Sequence, residues 1–125
     1  MIELSNRLHA WPWFCIPHQA DDEYVRKMAE FVKEKLDPDL AIYLEHSNEV
    51  WNSVFPGQFN CALEKAKVLG LLKGGSDFDG LVNYHAQRSA EIVKIWHEVF
   101  NDRDRLIGVF GVGGPKSWMT SGPCS

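Results

Sequence analysis

The chain has 125 residues with a formal net charge of −4; 45% of them are hydrophobic and 24% are charged. This length predicts one domain with a buried core, and the composition excludes a disordered chain. The 13 lysines and arginines are scattered, which argues against a nucleic-acid partner, and no apolar run approaches the roughly 20 residues of a membrane span.

The first predicted unit is a strand, a helix and a second strand. The run WFCIP (13–17) is apolar and β-prone and ends in proline, which predicts a strand. Residues 22–36 carry apolar side chains at three- and four-residue intervals, which predicts a helix capped by Asp21 or Asp22. The continuous apolar run 40–44 is typical of a strand that is buried on both faces, as in a parallel sheet.

The rest of the chain adds two helices and one strand. Apolar periodicity predicts helices over about 58–72 and 79–100, and the apolar run 106–112 predicts a strand. The remaining residues, 113–125, are rich in Gly, Pro and Ser, which predicts a flexible tail. The order β-α-β-α-α-β therefore indicates a single α/β domain over 1–112 with a short parallel sheet.

Polar residues follow two of these predicted strands. In alternating α/β folds, binding and catalytic groups gather at the carboxyl ends of the strands. The residues at such ends are Glu45, His46, Ser47, Asn48 and Glu49 after the second strand, and His18, Gln19, Asp21 and Asp22 after the first. The carboxyl edge of the sheet is thus the expected position of a site.

Residues 12–52, PWFCIPHQADDEYVRKMAEFVKEKLDPDLAIYLEHSNEVWN, resemble the middle of a (β/α)8-barrel glycoside-hydrolase-like family. This family belongs to a large clan with catalytic residues after the fourth and seventh strands. In that clan an Asn-Glu pair follows the fourth strand, and Asn48-Glu49 matches it. Residues 83–100 resemble the helix before the fifth strand, so the resemblance covers about residues 12–110.

The resemblance implies a role for each residue near the strand ends. Glu49 would be the general acid/base, which must hold a proton near neutral pH, so its pKa would have to be raised by burial or by a neighbouring carboxylate. Asn48 would hydrogen-bond a sugar hydroxyl, and Trp51 would stack on a sugar face, as would Trp11 and Trp13. The expected substrate-side residues are Asn48, His18, His46, Trp51 and Asp21.

Glycoside hydrolysis uses two carboxyl groups, about 5–5.5 Å apart in retaining enzymes and farther apart in inverting ones. The family would supply the second one from the seventh strand, but only three strands are predicted here. Glu45, four residues before Glu49, is the nearest candidate for the second catalytic carboxylate, and Asp21 and Asp22 are alternatives. No HExxH-like spacing or phosphate-binding loop is present, so no metal or cofactor is expected.

Three predicted strands are too few for a barrel, which needs about 250 residues to close. The open strand edges would pair with another chain, so we expect a partial barrel completed by self-association into a homodimer or higher oligomer. Three functions remain open. The first is a catalytically incomplete protein that binds carbohydrate, the second is a non-catalytic oligomeric interaction module, and the third is a glycosidase whose active site is assembled across a subunit interface.

The N-terminus and the cysteines bear on location. The first residues lack a basic start followed by an apolar core, so no signal peptide is expected. Three cysteines without a CxxC pair favour free thiols over a zinc site or a disulfide framework. Both observations favour the cytoplasm, or a chain whose leader has been removed.

Overall fold

The computed structural model describes residues 1–102 and 104–111. The chain forms four helices and three strands over this range: α1 Ile2–Leu8, β1 Trp13–Ile16, α2 Asp22–Lys35, β2 Ile42–His46, α3 Pro56–Val68, α4 Asp77–Phe100 and β3 Leu106–Val109. The predicted mixed α/β order is confirmed, with α1 added in front. Residue 112 and the predicted tail 113–125 lie outside the described residues.

The boundaries differ from the sequence predictions at several elements: α3 ends at Val68 rather than 72, α4 begins at Asp77 rather than 79, and β3 ends at Val109 rather than 112. Helix α1 was missed because seven residues without a side-chain cap are too few to show a helical period. Helix α3 begins earlier than predicted, since Pro56 occupies its first turn, where the missing N–H has no cost. Strand β2 lies two residues later than predicted, so Glu45 and His46 are its last residues rather than part of the following loop.

The three strands form one parallel sheet in the order β1-β2-β3. Trp13 pairs with Tyr43, and Cys15 pairs with Glu45. On the other side of β2, Glu45 pairs with Val109. Because paired residues of neighbouring strands point to the same face of a sheet, these side chains share one face.

Helices α2 and α4 cover the opposite face of the sheet. Alternate strand residues point into this main core, and Trp96 of α4 is fully buried against them. The Trp96 ring lies 6.0 Å from the ring of Phe14 and 5.6 Å from that of Phe100, measured between centroids. The buried members are Phe14, Ile16, Val25, Ala29, Val32, Leu36, Leu40, Ile42, Leu44, Ile92, Ile95, Trp96, Phe100 and Leu106.

Gly108 lets α4 approach β3 closely. A Cβ built on this residue would lie 3.2 Å from Cγ2 of Val93, which is tighter than ordinary van der Waals contact. Glycine therefore stands where the helix and the strand come together, and a larger residue would push them apart.

A second, smaller core joins α3 to the first half of α4. Its buried members are Val50, Ala62, Ala66, Leu81 and Tyr84, with Trp51 and Phe59 packed at its edge. Val50 belongs to the loop after β2, so this cluster fixes that loop against the two helices. The long helix α4 thus contributes to both cores.

No described helix packs on the other face of the sheet. We call this face, formed by Trp13, Cys15, Tyr43, Glu45, Ile107 and Val109, the open face. Trp13 is 48% exposed, and Trp11 beside it is 52% exposed. Parallel sheets are normally covered on both faces, and among the described residues β1 and β3 are both edge strands. Completion of this short sheet by a second copy stays a prediction.

Helix α4 begins with a capping box. The Ser76 hydroxyl accepts a hydrogen bond from the Asp79 amide at 3.2 Å, and the Asp79 carboxylate accepts one from the Ser76 amide at 2.8 Å. The Ser76 hydroxyl also donates to the Asp79 carboxylate at 2.8 Å, and the two bonds from the Ser76 amide and hydroxyl lower the pKa of this carboxyl group.

Substituting Ser76→Ala is expected to lower the free energy of unfolding by about 1 kcal/mol, because the cap hydroxyl that serves an unpaired helix amide is lost. Urea denaturation followed by circular dichroism measures this. Ser53→Ala, at an exposed loop position, is the control and should change stability far less. Equal stability of Ser76→Ala and the wild type would contradict the role of the cap.

Across the described ranges, none of the helices combines the length and the apolar character that a membrane span requires.

Candidate functional site

Glu45 is the carboxylate of the open face. Although it lies on the side of the sheet that no described helix covers, it is only 8% exposed, because neighbouring side chains surround it. Its Oε2 atom accepts a hydrogen bond from the Trp13 indole Nε1 at 3.0 Å and a weaker one from the Cys15 thiol at 3.8 Å. The carboxylate is therefore held in a fixed orientation beside an exposed indole.

Cys15 lies next to Glu45 on the edge strand β1. Partial burial and the adjacent carboxylate raise the pKa of the Cys15 thiol. At neutral pH the sulfur thus keeps its proton and can donate it to Glu45. Because the thiolate is the nucleophilic form of cysteine, Cys15 is better suited to orient Glu45 than to attack a substrate.

Three aromatic rings lie side by side next to this carboxylate. The Trp13 ring stacks on Tyr43 with centroids 5.4 Å apart, and the Trp11 ring lies 6.0 Å from Tyr43. We call Trp11, Tyr43 and Trp13 the aromatic row. Exposed aromatic faces beside a fixed hydrogen-bond acceptor can hold a ligand that has both an apolar face and polar edges.

Trp51 lies near Glu45 as well. A Cβ built on Gly111 would lie 3.3 Å from Glu45 Oε1 and 3.9 Å from Trp51 Nε1. Both side chains thus flank Gly111, the last described residue after β3. The structure brings Glu45, which was expected at a strand end, into one region with Trp51 and Trp13, the tryptophans to which the resemblance gave a stacking role.

Glu49 lies in the loop that follows β2. Its φ angle is 48°, and that of Ser47 is 61°, both in the left-handed region that non-glycine residues seldom adopt. The Asn52 side chain donates a 2.8 Å hydrogen bond to Glu49 Oε2. The half-buried Glu49 carboxylate is thus held by a side chain of its own loop. Backbone strain of this kind often accompanies functional positions.

Asn48, between the two left-handed residues, has an exposed side chain. Its main-chain oxygen accepts a 2.9 Å hydrogen bond from Gln58 of α3. The loop is also fixed at Ser47, whose amide donates to the Ile16 carbonyl at 2.7 Å and so extends the bonding between β1 and β2. The Asn48 amide side chain is therefore available on a loop whose backbone is fixed.

His46 points to the helix side of the sheet rather than to the open face. It is 3% exposed, and its Nδ1 lies 3.1 Å from Nδ1 of His85 on α4. Burial, then His85, Arg88 and His18, lower the pKa of His46 to about 3. At neutral pH the ring is therefore uncharged, and it lies behind the sheet with respect to Glu45.

His18 and Asp21 follow β1 and lie at a different surface. Both line a cleft of about 900 Å³ between the start of α2, α3 and α4. Asp21 accepts the Tyr24 amide at 2.8 Å as the N-cap of α2, as predicted. Its carboxylate is thus occupied by the helix, and the structure does not bring it or His18 to the open face.

Within residues 1–102 and 104–111, no group of three or more His, Cys, Asp or Glu side chains is arranged to hold a metal ion.

Sequence reasoning missed Tyr43, His85 and Arg88. Tyr43 was counted as part of an apolar run, although its position two residues before Glu45 places both side chains on one face of a strand. His85 was missed because it is a polar residue four positions after Leu81 on an apolar helix stripe, a spacing that signals a buried polar contact. Arg88 holds the Ala20 carbonyl and the Asp22 carboxylate, at 3.0 and 2.6 Å.

Comparisons of this chain with protein-family models, with curated proteins and with solved structures gave no match. A proposal about function therefore depends on the residues and the geometry described above.

Proposed function

We propose that the chain is a carbohydrate-binding protein related to the central part of a (β/α)8 glycoside-hydrolase-like barrel, and that the open face binds the sugar. The observation that carries this proposal is the aromatic row beside Glu45. Sugar rings have an apolar face of C–H groups that stacks on indole and phenol rings, while their hydroxyls need hydrogen-bond acceptors and donors. Trp13 supplies the stacking surface and Glu45 the acceptor.

The hydrogen bonding of the two candidate catalytic acids favours binding over hydrolysis. Glu45 already accepts bonds from Trp13 and Cys15, and Glu49 accepts one from Asn52. A general acid must have its proton aimed at the leaving oxygen, and a nucleophile must have a free oxygen aimed at the sugar carbon. Glu49 and Glu45 remain the candidate catalytic pair. Because both are already hydrogen-bonded within the protein, we propose that the site is catalytically incomplete.

Binding is tested by titrating β-linked glucose, xylose and mannose oligosaccharides while following tryptophan fluorescence and heat. We expect a change in indole emission, since Trp11 and Trp13 are both about half exposed. Trp13→Ala is expected to weaken binding at least about tenfold, because truncating a central aromatic contact typically costs more than about 1 kcal/mol.

The matched control is Phe31→Ala, an aromatic of similar exposure on α2 and away from the open face. It should leave affinity unchanged. Absence of binding by any oligosaccharide of the panel, or equal affinity of Trp13→Ala and the wild type, would contradict the proposal. If the wild type hydrolyses aryl glycosides and Glu49→Gln does not, the chain is a hydrolase rather than a binding protein without activity.

Self-association is a second candidate function, favoured by the two sheet edges with which no described strand pairs and by the exposed aromatic row. In this alternative a second copy packs on the open face, and the chain is an interaction module. Light scattering after size-exclusion chromatography measures the mass in solution and so distinguishes a dimer from the monomer of 14.3 kDa. A dimer that dissociates in Trp13→Lys and persists in Phe31→Lys would support the interaction module, whereas a monomer would contradict it.

A further inference from the structure

His46 and His85 form a buried pair behind the sheet. They are 3% and 1% exposed, and their Nδ1 atoms lie 3.1 Å apart. At that distance one Nδ1–H donates to the other Nδ1, which must carry no proton. Neither Nε2 atom has a hydrogen-bond partner among the described residues. Two of the four ring nitrogens thus lack a hydrogen bond to the described residues, even when both rings are neutral.

Protonation of either imidazole beyond the neutral form is unfavourable in this pair. A first additional proton would lie on a buried Nε2 atom without an acceptor, which leaves a charge unpaired in an apolar setting. A second would put two N–H groups opposite each other and remove the hydrogen bond between the rings. A buried charge is therefore unfavourable from the first proton onward, and the contact between the rings is lost when both are charged.

The groups that face the pair do not compensate such a charge. Those that act on His46 are His85 and Arg88 from α4 and His18 from the segment after β1, and all are basic. Tyr84 of α4 lies edge-on to His46, and the neighbouring Cys61 of α3 contributes to the raised pKa of Tyr84. On the β3 side, the neighbours of His85 are the Phe110 ring and the Gly111 backbone. Burial lowers the pKa of both imidazoles; on His85 the Gly111 backbone acts in the opposite direction but does not outweigh burial.

The pair joins parts of the chain that carry the site. His46 is the last residue of β2 and is followed directly by the loop with the strained Ser47 and Glu49. His85 stacks on Phe110, with centroids 4.6 Å apart and planes 23° apart. One contact therefore fixes the end of β2, the residues after β3 and the middle of α4 relative to one another.

We propose that the His46–His85 pair is an acid-sensitive clasp, which on protonation separates and releases the segment 47–55 and residues 106–111 from α4. Release relaxes the left-handed backbone at Glu49 and moves Trp51 and Gly111 away from Glu45. The open face is therefore assembled at neutral pH and disassembled in acid. This clasp depends on the buried pair alone and not on sugar binding.

Hydrogen exchange measured by mass spectrometry at about pH 7 and about pH 4 tests the clasp, after correction for the intrinsic pH dependence of exchange. Peptides over 47–55 and 106–111 are expected to exchange at least about tenfold faster in acid, because the open state binds protons that the closed state excludes. Peptides over 22–35 are the internal reference and should not change. Equal acceleration in all peptides, or in none, would contradict a local clasp.

His85→Phe keeps a ring that can stack on Phe110 and leaves only one imidazole of the pair to titrate, so the acid-induced acceleration should be clearly smaller than in the wild type. His9→Gln, at an exposed position on the opposite end of the fold, is the control and should retain it. If His85→Phe exchanges like the wild type at both pH values, the clasp is refuted.

Should His85→Phe fail to fold, histidine resonances of the wild-type chain decide the matter. The expected result is that His46 and His85 titrate together with the change in the 47–55 segment. Independent titration of either ring near the ordinary value of about 6.5, with no structural change, would overturn the proposal.

Discussion

Replacing Trp96 by Ala is expected to lower the free energy of unfolding by about 3–5 kcal/mol. Trp96 is fully buried and lies between Phe14 of β1 and Phe100 at the end of α4. Its removal leaves a cavity where the helix, the sheet and the Phe100 ring meet. Since a domain of this size is commonly stable by only about 5–15 kcal/mol, this loss is a large share of the total.

Denaturant unfolding, followed by circular dichroism, measures the loss. The matched control is Phe31→Ala, which removes an aromatic ring that is 55% exposed on α2. It should cost much less, because little apolar surface is returned to water. A loss below about 1 kcal/mol for Trp96→Ala would mean that the main core does not depend on this ring.

Lowering the pH from neutral to about 3 is expected to lower the free energy of unfolding through His46. The folded-state pKa of His46 is about 3, below the ordinary 6.5. Above pH 6.5 the ring is neutral in both the folded and the unfolded chain, so it makes no difference to stability. As the pH falls from 6.5 towards 3, the unfolded chain takes up a proton that the folded chain excludes, and the folded state loses stability.

The free energy of unfolding, measured at intervals over this range for the wild type and for His46→Gln, isolates the effect. The pKa of Asp79 and of Glu98 is lowered by hydrogen bonds with Ser76 and Arg26, so both carboxylates also lose stabilisation in acid. They do so equally in the two proteins, and only the difference reports His46. Parallel pH profiles of the two proteins would contradict the prediction.

Regular periodicity made the fold predictable to a large extent. The alternating β and α segments, the parallel sheet and the Asp21 cap followed from patterns that depend on neighbouring residues alone. Strand β2 was placed two residues too early because Leu40 and Ala41 are as apolar as the strand itself, and the sequence does not mark where pairing begins. Helix α1 is fixed by Asn6, which bonds the Lys35 carbonyl and the Asp37 amide, a distant contact that no local pattern reveals.

The candidate site was predictable in part. Glu45 was expected at the carboxyl end of a strand and Trp51 on the substrate side by resemblance, and both lie beside Gly111. His46 was expected on the substrate side as well, but strand alternation turns it to the helix face, opposite Glu45. Asp21 and His18 line the outer cleft instead, because the helix cap holds Asp21 at the start of α2. Such placements depend on the register of the sheet, which composition does not determine.

Helix α4 belongs to two cores at once, and this has a consequence for how the chain unfolds. Its 24 residues span about 36 Å, with the first half packed on α3 and the second half on the sheet. The smaller core contains fewer and smaller buried side chains, so α3 and the opening turns of α4 can melt as one subglobal unit while the rest stays native. Limited proteolysis of the folded chain should accordingly cut between 56 and 80 first, and leave a resistant N-terminal fragment that retains the paired strands β1 and β2.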